Sequence, residues 1–379
     1  MAISKRKQKD VFQIQVIKEY KYINGVKTPI KHSEMFYGKI KDARLRENEI
    51  KAQIKKGYFI SNEKLTYNDL IDKWYQEIAK PTLAIRTIEE YEKLLKEIRS
   101  FLGHYKLTEL KALHFLSFYN KLRQSDRNLS ENTILHYYTL NNTILNYAVK
   151  WELVERNVNK LVDRPKPIKK EVNYYDENDI IKLLSYIKNE PLKYQVIIQL
   201  AIDSGCRRGE LTGLSWDDID FTNSKITINK ATQATKNGVI EKNHPKNNSS
   251  IRTISITNKT LSLLEEYKKE QGEQKALLGA EWKNSNKVLT DKFGNNMHPD
   301  TPNKIFKKIQ KKYNLKYLNF HGLRHTSASM LIASDVHTKV ISKRLGHSST
   351  AITDTIYSHI FVSAEREASN KMSEKYFNM

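Results

Sequence analysis

The chain has 379 residues, enough for two or three domains that each bury a core, and its 65 Lys and Arg against 43 Asp and Glu leave a net charge of +22. No run approaches the roughly 18 consecutive apolar residues that a membrane span needs, and one cysteine, Cys206, excludes an intrachain disulfide or a Cys-based metal site. A folded, basic chain that prefers a polyanionic partner and a reducing cytoplasm remains.

The first 64 residues carry 16 Lys and Arg against 7 Asp and Glu. The apolar stretch after the basic start, Val11 to Ile17, is interrupted by Gln13 and Gln15 and ends in Lys18-Glu19, so it does not read as a signal peptide. Phe12 to Val16 instead alternates with period two, Ile23-Asn24-Gly25 supplies a turn, and a second run follows over Ile30 to Tyr37. This predicts a small sheet. Lys39 to Lys56, free of Gly and Pro, predicts a helix packed on it.

From Leu65 the pattern turns helical, with Leu65, Leu70, Ile71, Trp74, Tyr75 and Ile78 on one face. Further helices are expected at Thr87 to Leu102, Thr108 to Arg123 and Ser130 to Leu153, the last opened by Ser130 as N-cap. Arg164-Pro165-Lys166-Pro167 lacks two backbone donors and marks a charged, extended linker. Three domains are therefore expected, at 1–63, 64–165 and 166–379.

In the third, helices are predicted at Glu177 to Lys188 and Leu192 to Ser204, and strands at Lys225 to Asn229, Thr232 to Glu241 and Ser250 to Ile256, with a turn at Lys236-Asn237-Gly238. Helices resume at Thr257 to Gln271, Thr301 to Lys312, His321 to Ala333 and Val340 to Leu345. The fold class is α+β and multidomain: a sheet-plus-helix N-terminal domain, a four-helix domain, and a mainly α domain with a small antiparallel sheet.

Several short motifs could carry chemistry. In Ser204-Gly205-Cys206-Arg207-Arg208-Gly209-Glu210 an apolar helix meets glycine, then two guanidinium groups, then another helix. Arginine grips phosphate with paired hydrogen bonds and stays charged at any working pH. His321 and Arg324, three apart, share a helical face. His347 follows Gly346 at a helix end, and Tyr357 sits in Thr355-Ile356-Tyr357-Ser358-His359. Each alone has a plainer reading: a salt bridge, a helix cap, or one more of 21 tyrosines.

The ordered set is more specific. Gly-Cys-Arg-Arg-Gly-Glu, a lysine near a hairpin, His-x-x-Arg, Leu-Gly-His and a Tyr-Ser-His ending together resemble the tyrosine recombinase family, in its phage and conjugative-transposon integrase branch with an N-terminal arm-binding domain. The resemblance spans roughly Asp176 to Phe377, with supporting architecture before it.

Carried over residue by residue, it implies that Arg207 is the first family arginine and Arg208 a structural or DNA-contacting neighbour. His321 and Arg324 form the His-x-x-Arg pair, His347 is the Leu-Gly-His histidine, and Tyr357 is the nucleophile. Lys246, in His244-Pro245-Lys246-Asn247, is the hairpin lysine, although many members have Thr where Asn247 stands, and Lys236 and Lys242 lie close by. The implied reaction is site-specific cutting and rejoining of DNA through a 3′-phosphotyrosine, to integrate and excise a mobile element. No cofactor and no metal are implied. Either histidine could assist proton transfer.

The resemblance further implies double-stranded DNA as partner, at core and arm-type attachment sites. It implies a homotetramer on paired sites, with a C-terminal helix from Ser363 to Lys375 docking on a neighbour, and it allows an excisionase or a DNA-bending accessory protein. Two alternatives stay open: a type IB topoisomerase, which would share the arginines, histidine, lysine and tyrosine, and a non-catalytic DNA-binding regulator on the same fold.

Overall fold

A computed structural model describes residues 3–5, 10–23, 26–55, 65–167, 172–243, 251–346 and 372–373. The chain divides into two compact units, Met1–Lys169 and Lys170–Met379.

The first unit opens with three antiparallel strands, β1 (Ile3–Lys5), β2 (Val11–Ile23) and β3 (Val26–Tyr37), in the order β1-β2-β3. Alternation decides which face is covered: Phe12, Ile14 and Val16 point inward against Ala43 and Ile50 of helix α1 (Ile40–Lys55), while Gln15 is exposed. The strands run well past the alternating stretch, with a register shift between Ile17 and Glu19, and beyond it Tyr20, Tyr22 and Val26 are exposed. The turn expected at Asn24-Gly25 lies outside the described residues, although Ile23 and Val26 on either side are paired.

The helical part follows. Thr66 caps α2 (Tyr67–Trp74) through a reciprocal bond with Asp69. The expected single helix to Ile78 changes at Tyr75–Ala79 into a π-helical turn that runs into the short α3 (Lys80–Thr82). Pro81 provides the cause, because its ring lacks an N–H and crowds the carbonyl four residues back. Then come α4 (Ile85–Leu102), α5 (Ala112–Arg123) and α6 (Glu131–Lys150), the last capped by Ser130 Oγ accepting from the Thr133 amide.

Aromatic groups dominate this core: Tyr67, Trp74, Phe115, Phe118 and Tyr119 are fully buried. Their hydroxyls are satisfied in a chain, with Tyr67 Oη donating to Asn141 Oδ1 (2.9 Å), Asn141 Nδ2 to Tyr119 Oη (3.1 Å), and Tyr119 Oη to Asn159 Oδ1 (2.6 Å).

The second unit packs α7 (Glu177–Ile187), α8 (Leu192–Ser204), α9 (Arg208–Gly213), α10 (Asn258–Leu278), α11 (Thr301–Lys312), α12 (Gly322–Ala333) and α13 (Thr338–Leu345) around two small antiparallel sheets. One has the order β4 (Ile219–Asp220), β5 (Lys225–Ile228), β8 (Arg252–Ser255); the other is the hairpin β6 (Lys230–Thr235) and β7 (Gly238–Asn243). Helix α8 lies at the centre, with Val196, Ile197, Ile198, Leu200 and Ala201 buried. Each such Ile or Leu contributes roughly 1.5–3 kcal/mol by leaving water.

Helix α10 runs seven residues past its expected end at Gln271. A Cβ at Gly272 would meet nothing within 4 Å, so that glycine costs only its intrinsic helix penalty of about 1 kcal/mol. Gln271 also anchors the helix by donating to the Thr290 hydroxyl (3.1 Å). Among the described residues, no helix is long and apolar enough to cross a membrane.

Candidate active site

Three segments meet at the C-terminal end of α8. The helix stops at Gly205, which takes the left-handed conformation (φ +61°), and a Cβ there would come within 2.5 Å of Leu345 Cδ2. Glycine therefore both ends α8 and admits α13. Leu345 and Ile341 pack on Ala328 and Ile332 of α12, which brings the third segment alongside.

Two residues on, Arg207 precedes α9. Its amide donates to Glu210 Oε2 (2.9 Å), its Nη1 to Glu210 Oε1 (2.9 Å), and its Nη2 to the Gly346 carbonyl (3.1 Å). The side chain remains 43% exposed, so a bound anion could reach the guanidinium. The adjacent Arg208 turns away to pair with Asp300 at 2.6 Å.

Arg324 lies in the first turn of α12, whose leading amide, Gly322 N, is capped by Asn319 Oδ1 (2.8 Å). It is buried, and Nη1 donates to the Gly205 carbonyl (2.8 Å). Its Nη2 is buried with no hydrogen-bond partner among the described residues. Burial first, then the charge of Arg207, push its pKa down to about 10, with Glu210 opposing, so it stays protonated at neutral pH.

His321 is the N-cap of the same helix, exposed at its outer edge, with its ring edge-on to His325 at 4.9 Å. Its pKa is lowered by desolvation and then by Arg324, Arg207 and Arg208, which favours the neutral imidazole at pH 7. The structure thus brings Arg207, His321 and Arg324 together. Lys246, His347 and Tyr357 lie outside the described residues, as does the expected C-terminal helix apart from residues 372 and 373.

The hairpin leading toward Lys246 is tied to α9. Thr212 and Thr232 hydroxyls are 2.5 Å apart, and Lys287, itself buried, donates to the Gly213 carbonyl (2.8 Å) and pairs with Glu241 of β7. Lys236, named above as an alternative, sits in the turn of this hairpin and Lys242 on β7.

Cys206 is buried, and burial raises its thiol to about 11, so it is no rival nucleophile at neutral pH.

Sequence reasoning passed over Arg252, the first residue of β8. Its side chain is 3% exposed; Nη2 donates to Glu210 Oε2 (2.7 Å), Nη1 to Glu210 Oε1 (3.3 Å) and Nε to the Arg344 carbonyl (2.7 Å). The usable signal is register: Arg252 alternates with Ile254 on the inward face of β8, and a charge in that register demands a buried carboxylate.

Burial alone would raise the Glu210 carboxyl, but hydrogen bonds and charge from Arg252, then Arg207, overcome it and hold the pKa at about 2, against an ordinary 4.5. A depressed carboxylate pKa adds stability above pH 4.5 that disappears as pH falls toward 2. A shift of this size corresponds to about 3 kcal/mol. Glu210→Gln should therefore melt well below the parent at pH 7, and the gap should close as both are measured toward pH 3; a gap independent of pH would show that ionisation of Glu210 is not what stabilises the fold.

Two family models match the chain. The Phage integrase family profile matches residues 173–363, and that of the phage integrase N-terminal SAM-like domain matches residues 66–123. A tyrosine recombinase XerC-like protein of Caldanaerobacter subterraneus is 29% identical over 90% of this chain and 91% of its own length. The ICEBs1 integrase of Bacillus subtilis is 28% identical over 65% of this chain and 66% of its own. Among solved structures, the Tn1549 transposon integrase in complex with transposon right end DNA shares the fold at a TM-score of 0.69 and 20% identity, covering 81% of this chain and 99% of that one. A lambda integrase dimer bound to a core site gives 0.57 and 16%, covering 95% and 94%.

Proposed function

The chain belongs to the Phage integrase family of tyrosine recombinases, enzymes that transfer DNA strands, and from that premise we propose that it integrates and excises a mobile element, such as a prophage or conjugative transposon, through a 3′-phosphotyrosine. One observation carries the reading on this chain's own residues. The buried Arg324 Nη2, without a partner among the described residues, lies in a site that also holds the half-exposed Arg207. An orphaned guanidinium donor in the interior is costly unless a ligand oxygen takes it. A phosphodiester offers two such oxygens, and attack on phosphorus builds more charge on them.

In the proposed reaction, Tyr357 Oη forms a bond to phosphorus and the bond from phosphorus to the 5′-oxygen breaks. The phenolic proton passes to the imidazole of His321 or His347, and the site's cations favour the phenolate, because a phenol of ordinary pKa near 10 is a weak nucleophile. The departing 5′-oxygen takes a proton from Lys246 acting as general acid. The link keeps the energy of the phosphodiester, so the 5′-hydroxyl of a second strand can reverse the attack without ATP. Arg207 and Arg324 would hold the non-bridging oxygens throughout.

Residues 166–379 would form the catalytic domain and 64–165 a core-binding domain, each holding duplex DNA through phosphate contacts with a steep salt dependence. Residues 1–63 would read separate arm-type sites with the three-stranded sheet, whose exposed Tyr20 and Tyr22 and surplus of lysines suit a groove. Paired sites call for a homotetramer, served by the C-terminal tail, with an excisionase or DNA-bending protein setting direction. Such work on the chromosome would take place in the cytoplasm.

The test mixes two duplexes that carry the junctions bordering the encoding element. Joined products are expected from the full chain. A chain lacking residues 1–63 should still cleave a core-site duplex at close to the parent rate but should lose most integration. Relaxation of supercoiled DNA without exchange would favour a topoisomerase, and equal loss of cleavage and integration on truncation would refute the division of labour.

A further inference from the structure

We propose that Arg252 is a positioning residue for strand cleavage: from beneath the site it fixes Glu210 and the end of α13, and through them Arg207 and the chain that enters His347. The inference rests on the reading of the site given above.

The geometry is a sandwich. The Glu210 carboxylate lies between two guanidinium groups, that of Arg207 facing outward and that of Arg252 facing the core. Each carboxylate oxygen serves both arginines: Oε1 takes Arg207 Nη1 and Arg252 Nη1, and Oε2 takes the Arg207 amide and Arg252 Nη2. Glu210 is thus shared, and its charge is spread over two cations instead of being spent on the one that would meet phosphate. With Arg252 absent, the carboxylate could close fully on Arg207, turning it and lowering the positive potential it offers an anion.

The second hold is on α13. The last carbonyls of a helix have no partner within it, and here two are taken by arginines of the site: Arg344 O by Arg252 Nε and Gly346 O by Arg207 Nη2. Between them Gly346 adopts φ +69°, and a Cβ there would lie 2.8 Å from Arg252 Nη1. The turn that leads to His347 is therefore shaped against the Arg252 guanidinium. Arg344 is itself held, donating from Nη2 to Asp203 Oδ1 (3.2 Å) and to the Asp203 carbonyl (2.7 Å) at the end of α8. Arg252 never needs to touch DNA; its effect passes through neighbours.

Cleavage is read as covalent adduct in a single turnover on a nicked duplex, with the full-length chain, across pH. The groups facing Glu210 are Arg252 from β8, Arg207 and Cys206 ahead of α9, and Arg324 and His321 from α12. Arg252→Gln should slow cleavage roughly 100-fold, the scale of a misplaced catalytic group, while duplex binding stays within about three-fold, as it must if Arg252 makes no phosphate contact. It should also introduce an acid limb at higher pH than in the parent, because Glu210 loses the partner that lowers its pKa most and keeps only Arg207 against burial. Arg252→Lys, which keeps the charge but not the fork, should recover part of the rate and draw the limb back down; it serves equally if the glutamine variant melts below the assay temperature.

Cleavage within three-fold of the parent in both variants, a slower rate with no new acid limb, or binding lost in parallel with cleavage would each overturn the proposal. Arg207→Ala run beside them separates the two levels. If that substitution also leaves cleavage intact, the reading of the site fails; if it alone cripples cleavage, only the role of Arg252 falls.

Discussion

Tyr357→Phe is expected to abolish the denaturant-resistant protein–DNA adduct on a nicked core-site duplex while leaving duplex binding unchanged. The substitution removes one oxygen and keeps the ring, so only the proposed nucleophile is lost. Loss of a sole nucleophile costs on the order of 10⁴-fold or more, here below detection. Four other tyrosines are poor replacements. Burial raises Tyr67, Tyr119 and Tyr267 well above the ordinary phenol value, and Tyr75 is raised to about 12 by its hydrogen bond to Glu92. An adduct that survives in Tyr357→Phe would move the search to other nucleophiles and would sink the assignment.

The second large effect is expected at Arg324. Arg324→Ala should lower cleavage by roughly 10²–10³-fold, about 3–4 kcal/mol in the barrier, the usual cost of removing a preorganised donor to a charged transition state. Duplex binding should change by less than three-fold, since most affinity comes from other phosphate contacts. Folding should suffer little: the substitution removes a buried cation along with one hydrogen bond to the Gly205 carbonyl, and the desolvation it relieves offsets the bond it loses. Arg324→Lys should not rescue, because one ammonium cannot both hold Gly205 O and present a second donor where Nη2 stands. A melting temperature that falls by more than about 10 °C, with binding lost to the same extent as cleavage, would make Arg324 a structural residue instead.

How far the chain could be read in advance follows from where its local signals are strong. Helices α8 and α11 run between the expected residues, because Gly205 ends the first and Pro302 stands in the opening turn of the second. Helix α10 outran its expected end because Gly272 faces open space and costs little, a tertiary fact that no local pattern carries. The π-helical turn before Pro81 was legible in principle, since proline inside a helical pattern must distort it.

In the site, Arg207, His321 and Arg324 were found through an ordered set of motifs, and the fold brings those three together. Arg252 was missed because a basic residue after a run of Lys, Asn and Ser reads as one more solvated cation. Only its register with Ile254, and the carboxylate of Glu210 on a distant helix, mark it as interior. Short polar motifs reveal groups that face a substrate; they say little about the layer beneath, where the partner comes from elsewhere in the chain.

The buried thiol of Cys206 has a practical consequence. Buried and with a pKa of about 11, it should resist maleimide dyes that quickly modify a surface cysteine. The wild-type chain can therefore accept a single engineered labelling position without first being stripped of its own sulfhydryl. A dye placed in this way on an exposed position would report DNA binding through its anisotropy, with no background from a second site.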